Sequence, residues 1–237
     1  MIECISLTKK FGNFLALSDL NLTINHGVFG LLGTNGAGKT TTIKILVTLL
    51  KPTSGTAKIG GYDIRENPIE VKKRIGYLPE VPMLFDHLTG REFLELMGTL
   101  RGVSGEKLEK RIEFLGKLLG ITDYMDVLCS VHSKGTRQKF AFASAVLHEP
   151  DYLFLDEPLL GMDPKSWAIT KDYIKKYGEN HTVFLSTHIT LLAEAICDTV
   201  GIIHRGKLVA SGKLKEVMGD AHSLEEAFVS EIDGVGE

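Results

Sequence analysis

The chain has 237 residues, a net charge of −3 at pH 7 and three cysteines. That length buries roughly 70–75 % of the unfolded surface, so one large domain spanning 1–237 is expected, and the lack of a basic stripe argues against a nucleic-acid partner. Cys4, Cys129 and Cys197 are widely spaced with no C-x-x-C, which disfavours a disulfide framework and a zinc site, and neither a leader at Met1–Cys4 nor an apolar run of about 18–20 residues is visible, so any membrane role needs a partner.

The chain opens with period-two alternation. Ile2–Thr8 and Leu20–Ile24 predict strands, and Asn25-His26-Gly27 predicts a hairpin turn into a third strand, Val28–Leu32. Directly after it stands Gly33-Thr34-Asn35-Gly36-Ala37-Gly38-Lys39-Thr40, which fits G-x-x-x-x-G-K-[S/T] at every fixed position. Thr41–Val47 then reads as a helix. Strand, glycine loop and helix together form the context in which this pattern holds phosphate. The glycines permit positive φ and leave room for close approach. The loop amides make an anion nest, and the helix adds the positive end of its dipole. Lys39 supplies a mobile charge for the β- and γ-phosphates, and the Thr40 hydroxyl is a ligand for Mg²⁺.

Pro52-Thr53-Ser54-Gly55 stops that helix before a short strand at 56–59, and Ile75–Leu78 is another strand, closed by Pro79. Residues 80–149 change character. Phe93, Leu94, Leu96, Met97 and Leu100 recur at helical spacing, as do Leu108, Ile112, Leu115 and Leu119, so a helical subdomain is expected there. Ser133 reads as an N-cap before the apolar positions Phe140, Ala143, Val146 and Leu147. Its helix start is either a plain cap or a second anion site.

The strand Tyr152–Leu155 runs into Asp156-Glu157-Pro158. Ligands collect at the carboxyl ends of parallel strands. Asp156 there would hold Mg²⁺ through water, and Glu157 would polarise an attacking water. Thr182–Ser186 predicts a strand that delivers His188 within reach of a γ-phosphate. Val200–Ile203, a turn at Arg205-Gly206 and Lys207–Ala210 predict a hairpin. Residues 231–237 are expected to fray. Strands alternating with helices imply an α/β fold. Its core and β lobe would be built from 1–79 and 150–237, with an N-terminal antiparallel region and 80–149 inserted. The histidines show no H-E-x-x-H spacing, so no zinc site is assigned.

Taken together these residues resemble the ATP-binding cassette family, in the form of a transporter's nucleotide-binding subunit. Residues 33–40 look like its Walker A motif and Leu155–Pro158 like Walker B with the catalytic glutamate. Gly161-Met162-Asp163-Pro164 resembles the D-loop, and His188 falls at the switch histidine. Lys10-Phe11-Gly12 resembles the adenine-stacking loop, Gly76–Glu80 the Q-loop, and His132–Thr136 the signature loop. Glu80 stands where the family most often has glutamine, Lys134 replaces a glycine, and Thr136 replaces a glutamine.

The resemblance implies a P-loop NTPase core that hydrolyses ATP with Mg²⁺. Glu157, His188 and Lys39 would act in the reaction. Phe11, Gly33 to Thr41, Glu80 and Asp156 would bind the nucleotide, with Thr40, Glu80 and Asp156 around the metal. It also implies that Ser133, Lys134 and Gly135 of a second copy, or of a paired ATPase subunit, complete the site in trans. The Ser-Lys-Gly-x-Arg-Gln form is similar to that of exporters with a separate membrane-spanning subunit (the ABC-2 type). Such a permease would dock near Val81–Leu88 and hold the chain on the cytoplasmic face of the membrane. Two other readings are a soluble cassette ATPase acting on ribosomes or DNA, and a regulatory ATP-binding module. The absence of Asn-Lys-x-Asp argues against a GTPase.

Overall fold

The computed structural model describes residues 1–234. Two sheets are stacked, with one helix between them. The first sheet is antiparallel, with strand order β2-β1-β4-β5. It comprises β1 (Ile2–Phe11), β2 (Phe14–Ile24), β4 (Ser54–Ile59) and β5 (Tyr62–Asp63). The second has six strands in the order β10-β9-β3-β8-β7-β6. These are β3 (Gly27–Leu32), β6 (Ile75–Leu78), β7 (Tyr152–Asp156), β8 (Thr182–Thr187), β9 (Thr199–His204) and β10 (Lys207–Lys213). All neighbours in the second sheet are parallel except β9 and β10, which form the expected hairpin.

The parallel strands are apolar on both faces, as strands covered on both sides must be. Phe29 of β3 and Phe154 of β7 both pack on Phe184 of β8, at centroid separations of 5.1 and 5.7 Å. Those rings belong to a core shared with Leu7 and Leu17 of the antiparallel sheet and with Ile43 of α1 (Lys39–Leu46). The opposite face of the parallel sheet is covered by helices.

The stretch 25–27 is not a hairpin. β2 pairs with β1, whereas β3 joins the other sheet between β8 and β9. These residues carry the chain from one sheet to the next. The reason lies far away in sequence. Gly27 has φ +85, and the Asp198 carboxylate sits where its Cβ would be and accepts from the Val28 N–H at 2.8 Å. β3 also lacks alternation, so it belongs at the centre of a sheet rather than at a half-exposed edge.

Residues 80–149 contribute α3 (Gly90–Leu100), α4 (Gly105–Leu119) and α5 (Lys134–Val146), and no strand of either sheet. Thr89 and Glu92 form a capping box that starts α3, a reciprocal arrangement that satisfies two otherwise orphaned donors. α6 (Pro164–Gly178), α7 (Thr190–Ile196), α8 (Leu214–Met218) and α9 (Leu224–Gly234) follow the later strands, and α2 (Pro68–Arg74) precedes β6. Fraying was expected from residue 231, but 231–234 continue α9. Leu224 and Ala227 are buried, and Glu194 accepts from the Leu224 N–H at 3.2 Å. The rest of that stretch, 235–237, lies outside the described residues. No described helix is long and apolar enough to cross a membrane.

Candidate functional site

β3 ends at Leu32, and the chain turns tightly before α1. Gly38, the last loop residue, has φ +114, and a Cβ there would stand 2.8 Å from the Ala16 carbonyl. Only glycine meets both demands. Gly33 is equally confined, since its Cβ would lie 2.6 Å from the Ile203 carbonyl. The loop is thus pressed between β2, β9 and the start of α1.

Lys39 opens α1, and only 7 % of it is exposed. Its ammonium folds back over the loop and donates to the Gly33 carbonyl at 2.7 Å and the Thr34 carbonyl at 3.2 Å. Burial lowers its pKa, against the opposing fields of Glu157, Asp156 and Glu80. Thr40 donates its hydroxyl to Asp156 Oδ1 at 3.1 Å. That contact joins α1 to the end of β7, across the intervening β8.

Asp156 is fully buried. Its Oδ1 also accepts from the Ser186 hydroxyl, while its Oδ2 has no partner. A buried carboxylate oxygen without a partner is costly unless something charged meets it. With the Thr40 hydroxyl beside it, the donor set is all oxygen and suits a hard divalent cation such as Mg²⁺. Among the described residues no group of three or more His, Cys, Asp or Glu side chains could hold a metal. A cation held here would draw its remaining ligands from water or from a bound anion, which is how Mg²⁺ is commonly held.

Glu157 occupies the next position with φ +49, a left-handed conformation that costs a side-chain-bearing residue roughly 1–3 kcal/mol. Its N–H donates to the Ser186 carbonyl at 3.1 Å. Its carboxylate lies 2.8 Å from His188 Nδ1, accepts from the Thr187 hydroxyl at 3.3 Å, and stands 3.9 Å from the Lys39 ammonium. His188, just past β8, is itself half-exposed. The carboxylate is therefore nearly buried, strained in its backbone and aimed at the loop.

Lys39, Thr40 and Glu157 border a cleft of about 340 Å³, while Asp156 and His188 stand behind or beside its lining. Among the residues expected from sequence, Phe11, Asn35, Gly36, Gly38, Lys39, Thr40, Thr41, Glu80 and Glu157 line it. Gly33, Thr34 and Ala37 build the loop behind that lining. Ser133, Lys134 and Gly135 are elsewhere, at the start of α5 beside Gly161. Ser133 forms the expected cap, accepting from the Thr136 N–H at 3.2 Å, and Ser133 and Lys134 are both exposed.

The cleft also contains residues that the sequence reading missed. Phe14 and Ala16 line it. Phe14 pairs directly with Phe11 across the β1–β2 turn, so two half-exposed rings stand at one rim. The available signal was a phenylalanine on each side of Gly12-Asn13. Ser186 and Thr187, which hydrogen-bond the two carboxylates, read in sequence only as the last residue of a strand and the one that follows it.

The profile of the family described as "ABC transporter" matches residues 17–160. The ABC transporter ATP-binding protein NatA of Bacillus subtilis (strain 168) is 39% identical over 92% of this chain and 90% of its own length. The daunorubicin/doxorubicin resistance ATP-binding protein DrrA of Streptomyces peucetius is 36% identical, over 92% of this chain and 68% of its own. Among solved structures, a dimeric ATP-binding cassette in a post-hydrolysis state bound to ADP and Pi superposes with a TM-score of 0.83, at 25% identity, over 90% of this chain and 99% of that one.

Proposed function

The chain belongs to the ABC transporter family, and from that premise we propose how it works: as the ATP-hydrolysing subunit of an exporter, paired in two copies beneath a separate membrane-spanning partner. The observation that carries the reading is the pairing of a buried, half-satisfied Asp156, held by Thr40, with a strained Glu157 that stands 3.9 Å from Lys39. A structural ion pair has no need of left-handed backbone or of a bare carboxylate oxygen.

In this reading the adenine lies at the Phe11 and Phe14 rim, and the phosphates run along the loop to Lys39. The Lys39 ammonium, now on two loop carbonyls, turns to the β- and γ-phosphates. Thr40, Asp156 and Glu80 would hold Mg²⁺, which when bound neutralises charge on those phosphates. Glu157 accepts a hydrogen bond from the attacking water and draws off its proton as the oxygen approaches phosphorus. His188, hydrogen-bonded to that carboxylate, keeps it aimed and faces the γ-phosphate with its exposed edge.

The start of α5 is exposed and lies apart from its own cleft. That placement supports Ser133, Lys134 and Gly135 acting on the nucleotide of a second copy. The dimeric cassette bound to ADP and Pi supports the same arrangement. ATP then favours the closed pair because only the closed pair gives it both half-sites.

Docking to a membrane subunit is supported by an apolar surface next to Glu80. Val81 and Met83 are 72% and 80% exposed. Phe85, Leu128 and Val131 are also exposed, and their segments are joined by the Cys129 N–H donating to the Leu88 carbonyl at 2.8 Å. Contiguous apolar surface of this kind marks an interaction site. It would hold the chain on the cytoplasmic face of the membrane. The resistance-protein relative supports export, and the net charge of −3 gives no support to a nucleic-acid role.

The test is co-purification. The tagged chain, extracted in mild detergent from its source cells, should retain an integral membrane protein and release phosphate from Mg²⁺-ATP. Val81→Asp with Met83→Asp should lose the membrane protein and keep ATP binding. Recovery with ribosomes instead would overturn the transport assignment.

A further inference from the structure

Three contacts between α5 and the segment 157–163 have no part in the mechanism above. Gly135 lies so close to that segment that a Cβ on it would stand 2.8 Å from the Gly161 carbonyl. One turn further on, Gln138 is buried and donates its side-chain amide to the Pro158 carbonyl at 3.2 Å. Beside it, Lys139 pairs with Asp163 at 3.1 Å, and Asp163 caps α6 by accepting from the Ser166 N–H at 3.0 Å.

The middle contact bears on Glu157. The Pro158 ring disfavours right-handed helical backbone for the residue before it and fixes its own φ. A hydrogen bond on the Pro158 carbonyl restrains the remaining torsion. On its other side the Glu157 N–H is held by the Ser186 carbonyl at 3.1 Å. A left-handed glutamate at φ +49 persists only where its surroundings over-determine it. Three polar restraints bracket it: the Ser186 carbonyl on its N–H, the Leu160 N–H donating to its own carbonyl at 3.2 Å, and Gln138 through the Pro158 carbonyl.

We infer that Gln138 is a positioning residue for hydrolysis: its amide holds the peptide after Glu157, and so keeps that carboxylate aimed into the nucleotide cleft. The inference rests on the assignment of Glu157 proposed above. Gln138 also stands one turn from Ser133 and Gly135.

The test is steady-state ATPase kinetics of the full chain with Mg²⁺-ATP. Gln138→Met keeps the side-chain volume and removes the donor. A lost aim of this kind should lower kcat about 10- to 100-fold, with KM and the melting temperature near wild type. In the Glu157→Gln background the same substitution should add no further loss, because the carboxylate it aims is gone. Gln138→Leu, which is smaller and has no donor in any protonation state, is the second variant in case Met disturbs the fold, and the same kcat loss is expected. Wild-type kcat in either folded variant overturns the inference. So does a further multiplicative loss in the Glu157→Gln background, and so does a fall in kcat that tracks KM and melting temperature together. If Glu157→Gln alone hydrolyses normally, the assignment of Glu157 fails first. If it is inactive while Gln138→Met is normal, only this inference fails.

Discussion

Replacing Glu157 by Gln changes one oxygen to an amide nitrogen and leaves the volume unchanged. The His188 contact at 2.8 Å survives through the remaining oxygen, and the backbone stays at φ +49. What goes is the negative charge and a buried base 3.9 Å from the Lys39 ammonium. Removing a general base costs about 10²–10⁴ in rate, or about 2.7–5.5 kcal/mol at 1.36 kcal/mol per factor of ten. ATP binding should persist. Lys39 loses the strongest of the fields that oppose its burial, but its ammonium keeps the Gly33 and Thr34 carbonyls until phosphate arrives. With binding intact and hydrolysis blocked, two copies should stay closed over ATP. Phosphate release measures the first effect, equilibrium binding of labelled ATP the second, and gel filtration in Mg²⁺-ATP the third. A wild-type rate of phosphate release would refute the role of Glu157. Elution as monomer only, with ATP bound, would refute the trans site.

Three more outcomes follow from the geometry. Phe11→Ala and Phe14→Ala should each weaken ATP binding about 5- to 150-fold, the equivalent of 1–3 kcal/mol of base–aromatic stacking; unchanged affinity in both would remove the rim from adenine recognition. Gly135→Ala pushes a Cβ to 2.8 Å from the Gly161 carbonyl, backbone against backbone, and should lower the urea stability by about 1–3 kcal/mol; an unchanged midpoint would show that the D-loop yields freely. His148 is pushed down to about 4 by burial, with its Nε2 at 3.1 Å from the Ile75 carbonyl. The folded chain therefore keeps it neutral where the unfolded chain protonates it. Its contribution is complete above about pH 6.5 and is lost as pH falls towards 4, up to about 3 kcal/mol. Urea midpoints of wild type and His148→Gln between pH 7 and 4.5 should converge as the pH drops, and parallel curves would contradict the assignment.

The reach of the sequence is clearest at residues 33–40. A phosphate loop is local chemistry: glycines, a lysine and a helix start within one turn of chain. Residue types at fixed spacing therefore define it completely. Asp156 and Glu157 were legible for a related reason, because an apolar run ending in two carboxylates has few structural uses. Ser133 was legible as a cap because capping is a three-residue interaction.

Other features depend on partners far away in the chain. Residues 25–27 look like a hairpin turn until Asp198 is placed beside Gly27, 171 positions later. Phe14 reads as another strand residue until the β1–β2 turn sets it against Phe11. Glu157 gives no sign of its left-handed backbone in the sequence. Its N–H bonds the Ser186 carbonyl and its own carbonyl accepts from the Leu160 N–H, and the first of these partners lies 29 residues further along the chain. Sequence by itself determined that the chain holds a triphosphate and which side chains carry charge to it, because those properties lie in residue type and short spacing. Only the tertiary structure decided where the carboxylates point and that the start of α5 lies apart from the cleft. Both depend on strands and helices brought together across more than a hundred residues, and no local pattern records that.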